Sequence, residues 1–234
     1  MTPSSDAPSS PPQPVRILAL LHTTPLTVPE LSARAAERAP NVRIVNLLDD
    51  SLLADVMAAG EVTPAVSARL RHYLQAAQDA GAGAVMTCCS SVGQAVEELA
   101  AGVGVPVLRI DAPMAAQASA LGERVGVLAT VPTTLAPTAN LIERLARQEG
   151  RPVQVTRKLV DGAYDARLAG NGEEHDRLVL VALGELLGEV DVIVLAQASM
   201  ARLLPALYEL LGDTGGVPVL SSPESGLAAA LESL

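Results

Sequence analysis

The chain contains no tryptophan and no phenylalanine, and only three tyrosines and two cysteines among its 234 residues. With so few aromatic faces it lacks the stacking platforms on which proteins seat nucleobases. The two cysteines are neighbours, Cys88 and Cys89, too few for a disulfide framework or a four-thiolate zinc site. Cations are in deficit as well: 16 Lys and Arg face 26 Asp and Glu, for a formal net charge of −10. A nucleic-acid binder needs a cationic face, so that partner is excluded. Long hydrophobic runs are missing too, because Glu, Asp or Arg interrupts every apolar stretch before the ~18 residues a spanning helix requires. Residues 1–14 are rich in Pro and Ser and show neither the basic start nor the apolar centre of an export signal. They read as a disordered extension, and a cytoplasmic, reduced setting without membrane contact is the expectation.

What remains is a chain that is 49% apolar, ample for a packed core. That core has to be built from Ala, Val, Leu and Ile, and any ligand site from small polar groups. Its length suits one sizeable domain or two small lobes. Short aliphatic runs alternate with longer Ala/Leu/Glu/Arg segments. The strands are expected at 15–21, 42–48, 83–89, 105–111, 124–130, 152–160, 190–196 and 217–222. Helices are expected at 28–39, after Asp49–Asp50, and at 63–80, 91–102, 135–149, 173–187 and 200–211. Strands apolar on both faces, alternating with helices, predict an α/β fold with parallel sheets covered by helices.

The chain also repeats itself. VRILALLHTTPLT (15–27) resembles RVGVLATVPTTLA (124–136), and GAGAVMTCCSSVG (81–93) resembles EVDVIVLAQASMA (189–201). VPVLRIDAP (105–113) resembles VPVLSSPES (217–225), and all three pairs keep the same order and a nearly constant offset. This predicts two pseudo-symmetric, flavodoxin-like lobes with a cleft between them. Residues 15–113 are assigned to the first lobe and 114–215 to the second.

In such lobes ligands bind beyond the carboxyl ends of the strands. Each repeat gathers small polar residues there: His22, Thr23, Thr24, Cys89, Ser90 and Ser91 in the first lobe, and Thr130, Thr133, Thr134, Gln197, Ala198 and Ser199 in the second. Cys89 stands out, at a strand end just before a helix start. Helix N–H groups and the helix dipole there are expected to lower its pKa and to hold a carboxylate. Cys88, one residue earlier on a strand, points the other way and reads as core. His22 is a second acid–base candidate because imidazole titrates near neutrality. Thr130 and Thr133 read equally as helix-start residues or as carboxylate contacts. No phosphate loop, dinucleotide fingerprint or metal-ligand cluster is present, so neither metal nor cofactor is expected.

The paired lobes, the TCCSSVG turn and the GVLATVPTT segment together resemble the aspartate/glutamate racemase superfamily, which includes hydantoin racemase, maleate isomerase and arylmalonate decarboxylase. The resemblance runs from about Val15 onward and implies a cofactor-independent carbon-acid enzyme with its site between the lobes. It implies that the last strand crosses back to complete the first lobe, so that 216–234 joins 15–113; a homodimer is common among relatives, and a homodimer, a higher homo-oligomer and a monomer all stay open for this chain. It also implies one catalytic cysteine at the strand end of each lobe. Cys89 matches the first position, with Thr23, Thr24, Ser90, Ser91, Thr130 and Thr133 as substrate contacts. The second position holds Gln197 in LAQASM, followed by Ala198 and Ser199, so the second thiol is missing. A racemase or isomerase acting on a small carboxylate through a single cysteine is therefore expected. A one-thiol decarboxylase of a malonate-type acid, and an inactive small-ligand-binding member of the family, remain as alternatives.

Overall fold

The computed structural model describes residues 15–211 and 216–234, so the expected disorder at 1–14 lies outside the described residues. The first sheet is formed by β1 (Arg16–His22), β2 (Val42–Leu48), β3 (Ala84–Thr87) and β4 (Val107–Arg109), in the order β2-β1-β3-β4. The second consists of β5 (Arg124–Ala129), β6 (Gln154–Leu159), β7 (Val192–Leu195) and β8 (Val219–Ser221), in the order β6-β5-β7-β8. Every neighbouring pair is parallel. The two orders are the same, and each repeated segment lands on an equivalent strand.

The central strands β1, β3, β5 and β7 are almost wholly apolar because both their faces are covered, whereas the edge strands β2 (VRIVNLL) and β6 (QVTRKL) mix in polar residues and are partly exposed. In β1, Ala19 and Leu21 join a cluster with Leu70, Leu74 and Val96, while Leu18 and Leu20 join another with Leu31, Ala35 and Met86. In β5, Val125, Val127 and Ala129 pack on one face and Leu128 on the other. The alternation follows from the two-residue period of a strand. The covering helices are α1 (Thr27–Arg38), α2 (Ser51–Ala59), α3 (Pro64–Asp79), α4 (Gly93–Leu99), α5 (Ala112–Leu121), α6 (Pro132–Gln148), α7 (Ala163–Leu168), α8 (Gly172–Leu186), α9 (Leu204–Leu211) and α10 (Ser222–Glu232).

One expectation is corrected. The last strand, β8, does not complete the first sheet; it pairs with β7 through Ile193↔Val219, Val194↔Leu220 and Leu195↔Ser221. It is α10 that returns to the first lobe, where Leu227 and Ala230 enter the cluster of Leu18, Leu20 and Met86. The mirror arrangement holds at the other junction. There β4 closes the first sheet, and α5 sends Met114, Ala115 and Ala118 into the core of the second. Each sheet thus keeps its fourth strand, and each lobe lends its next helix to the other. Segment 216–234 is consequently divided between the lobes. Among the described residues no helix is long and apolar enough to cross a membrane.

Candidate active site

β3 delivers the two cysteines to opposite environments. The Cys88 thiol lies in the core beside Leu18 and Leu20, with Sγ 3.7 Å from the Met86 carbonyl oxygen, and burial pushes its pKa far up. Cys89 is half-buried at the strand end and lines a cavity between the lobes. Its backbone is extended (φ −136°, ψ 119°), and a 3-10 turn, Ser90–Val92, follows before α4. Both cysteines are free thiols.

The expected drop in the Cys89 pKa is overturned in direction. Loss of solvent around the sulfur outweighs the groups that favour a thiolate, which are the Thr23 and Ser91 hydroxyls and the Ser91 and Val92 N–H groups. The resting side chain is therefore a neutral thiol at neutral pH. Thr23 is 2% exposed, and its hydroxyl makes no hydrogen bond in the resting geometry although it lies near enough to Cys89 to bias ionisation.

The cavity measures about 60 Å³ and is lined by Thr23, Thr24, Cys89, Ser90, Thr134 and Gln197 among others. Ala198 and Ser199 also line it, as the sequence suggested. That is room for a few waters or a compact acid, well below the several hundred Å³ of an ordinary ligand pocket. A second cavity of about 550 Å³ opens outside it, lined by Val56, Val62, Gln94, Pro132 and Asn140. Ser91 and Thr133 line this outer cavity rather than the inner one, and the contact between them forms part of the wall. The Ser91 hydroxyl lies 3.1 Å from Thr133 Oγ1 and 3.0 Å from Thr134 Oγ1. Ser90 Oγ donates to the Ala196 carbonyl oxygen at 3.2 Å. Both serines, expected as substrate contacts, thus tie lobe to lobe.

His22 is not brought to the cavity. It is fully buried, its Nε2 donating to Asn46 Oδ1 (2.9 Å) and its Nδ1 2.8 Å from Thr27 Oγ1. Burial lowers its pKa, so both nitrogens are occupied and the ring stays neutral, and the proposed acid–base role is corrected. The cavity wall also includes Thr27, Leu53 and Val131, which the sequence did not single out. Thr27 was foreseeable only as the first residue of α1, one turn beyond Thr23. Nothing local marks Leu53. Among the described residues no group of His, Cys, Asp and Glu is placed to hold a metal.

Gln197 is the counterpart of Cys89. It stands two residues beyond β7, as Cys89 does beyond β3, with a matching extended backbone (φ −123°, ψ 131°) and a 3-10 turn after it. Its side chain folds onto the start of α6. There Oε1 accepts from Thr130 N (2.6 Å), Thr130 Oγ1 (3.2 Å) and Val131 N (3.3 Å).

The sequence model of one protein family, described as Asp/Glu/Hydantoin racemase, matches residues 21–230. The chain belongs to that family. Solved structures of similar architecture include an aspartate racemase of Picrophilus torridus, at 15% identity and a TM-score of 0.70, with 93% of this chain and 94% of that one covered. A glutamate racemase of Bacillus anthracis matches at 17% identity and a TM-score of 0.68, over 93% of this chain and 80% of its own. An allantoin racemase of Klebsiella pneumoniae matches at 17% identity and a TM-score of 0.64, over 94% of this chain and 87% of its own. At such identities the likeness shows the two-lobed fold. No curated protein matches the chain. Within this racemase family, the chain presents a thiol at one strand end and a carboxamide at the equivalent one.

Proposed function

We propose that the chain is a racemase- or isomerase-type enzyme that acts on a small carboxylate carbon acid through one thiol, that of Cys89. The observation that carries this reading is the content of the cavity wall. Apart from the core-packed Cys88, Cys89 is its titratable side chain among the described residues, and the equivalent position holds Gln197. As base, the thiolate takes the proton from the carbon next to the carboxyl group. The C–H electron pair passes into that group as an enolate, a water molecule on the opposite face gives its proton to carbon, and the hydroxide so formed takes up the thiol proton, which restores both the thiolate and the water. The Ser91 and Val92 N–H groups favour the thiolate when it forms.

The raised pKa of Cys89 favours a second reading. A neutral thiol is a proton donor at rest, and a malonate-type acid that loses carbon dioxide needs only a donor. The C–C electron pair becomes the enolate, carbon dioxide leaves, the S–H proton goes to carbon, and the thiolate regains a proton from water. The decarboxylation uses one face of the substrate and needs one thiol, whereas the first reading uses the thiol on one face and water on the other.

Incubation of aspartate, glutamate, hydantoins, maleate and alkylmalonates in D2O, followed by NMR and chiral analysis, tests both. Deuterium at the α-carbon with inversion and without carbon dioxide supports the first reading, and carbon dioxide release supports the second. Replacement of Cys89 by Ser is expected to lower the rate by a factor of ~10² or more, the usual worth of a positioned acid–base group. A Cys89→Ser variant as active as the native chain would overturn both. The pH profile separates them further. A thiolate base makes the rate climb as pH rises toward the thiol pKa, above 9.0, whereas a thiol donor gives a level rate that falls on that alkaline side.

A further inference from the structure

We propose that Ser91 is a positioning residue for the candidate thiol, and that Thr134 of the second lobe turns the Ser91 hydroxyl proton onto the Cys89 sulfur. The proposal rests on Cys89 being the reacting thiol. Ser91 follows Cys89 by two residues, in the 3-10 turn after β3, and is 4% exposed. Its Oγ lies 3.0 Å from Thr134 Oγ1 and 3.1 Å from Thr133 Oγ1, both in the first turn of α6. A hydroxyl has one proton to give and two lone pairs to fill. Thr134 is 5% exposed, and among the described residues its hydroxyl has no hydrogen-bond partner besides Ser91. Were Ser91 the donor, the buried Thr134 proton would be left without an acceptor, which is costly. Thr134 therefore donates to Ser91, and Thr133, at the outer cavity, fills the second lone pair. The Ser91 proton is left for the sulfur, and the Ser91 hydroxyl is among the groups that favour a thiolate there.

The state of a first-lobe thiol is thereby tied to a hydroxyl of the second lobe. Either reaction gains by it. The Ser91 proton holds a thiolate base ready, and it equally steadies the thiolate that a proton donor leaves behind. Hydrogen bonds to a charged acceptor are about twice as strong as those to a neutral one. Apart from Cys88, none of the residues that line the inner cavity with Cys89 is charged or titratable. The outer cavity, which Ser91 also lines, adds the carboxylates of Glu61 and Glu98.

The pH dependence of Cys89 alkylation by iodoacetamide, read by mass spectrometry in the full chain, tests this. Ser91→Ala is expected to raise the thiol pKa, so that alkylation below that pKa slows about tenfold, the worth of a hydrogen bond to a charged group. Thr134→Val keeps the shape and removes the hydroxyl, and is expected to slow alkylation about threefold or more. Thr134→Ser is expected to restore the native rate. A variant that merely loosened the lobes would admit water to the sulfur, lower its pKa and speed alkylation. An unchanged or faster rate in Ser91→Ala or Thr134→Val therefore overturns the proposal, as does a slow Thr134→Val that Thr134→Ser does not restore. Should Thr134→Val fail to fold, the rate of Ser91→Ala decides. Alkylation needs no turnover, so an active Cys89→Ser variant would overturn the reaction assigned to the thiol and leave this result standing.

Discussion

Cys88, Cys89 and His22 illustrate how burial sets chemistry one residue at a time. Both thiols have pKa values above the ordinary 9.0 because the surrounding protein disfavours the charged form. The imidazole of His22, buried among Thr27 and Asn46, lies below its ordinary 6.5 for the same reason. Linkage turns these directions into a stability profile. The folded chain keeps its thiol protons where the unfolded chain sheds them. The thiol contribution is thus intact below pH 9.0 and is lost as pH rises from there through the folded values. His22 acts on the acid side, since the unfolded chain gains a proton that the folded one refuses. Its contribution is intact above pH 6.5 and fades as pH falls through the lowered value. Melting temperatures measured between about pH 5 and pH 10 should show a plateau with two falling limbs. His22→Gln should flatten the acid limb and leave the alkaline one.

Among the elements, the helices that change lobes carry the tightest fit. Gly226 of α10 lies so close to the β4–α5 junction that a Cβ there would come within 2.5 Å of the Ile110 carbonyl oxygen. Backbone cannot yield as a flexible side chain does. Gly226→Ala should therefore cost about 1–3 kcal/mol in a urea titration, the usual penalty of overpacking, and a change near zero would show that α10 rides loosely. These helices were also the least legible elements. The strands announce themselves as aliphatic runs, and α3 and α6 as long segments. α5 reads APMAAQASAL, small residues without one apolar face, and α10 is similarly rich in Ala, Ser and Gly. Helices buried on several sides lose the amphipathic period by which a sequence declares them. The segment 91–102, expected as one helix, is instead a short α4 between two 3-10 turns.

At the scale of the whole molecule, a chain of charges joins the lobes beside the cleft. Arg109 of β4 is 4% exposed and grips Asp111 with Nε and Nη2, both at 2.8 Å. Its Nη1 donates to Glu97 of α4 at 3.2 Å, and Glu97 receives Arg144 Nη2 of α6, in the other lobe, at 2.9 Å. Gly93 leaves the space that the Arg109 guanidinium occupies, since a Cβ there would collide with it. Arg109→Leu strands a buried Asp111 carboxylate and should cost about 3–5 kcal/mol. Arg144→Ala removes a more exposed partner and should cost at most about 1 kcal/mol. Equal costs in paired denaturant titrations would contradict this ranking.

The α/β class, the approximate strand positions, the duplication, the separate surroundings of Cys88 and Cys89, and the lack of a second thiol at Gln197 were determined by the sequence alone. Each depends on local periodicity, or on register within a repeat, and both are written in consecutive residues. Only the tertiary structure decided that β8 stays with β7, that α5 and α10 change lobes, and that His22 is shut away from the cavity. It likewise decided that Ser90 and Ser91 bridge the lobes and that the Gln197 carboxamide seats itself at Thr130 and Val131. Those outcomes depend on which polar groups and which small residues meet across long stretches of chain. Burial and hydrogen-bond partners are properties of that meeting, and no local pattern records them.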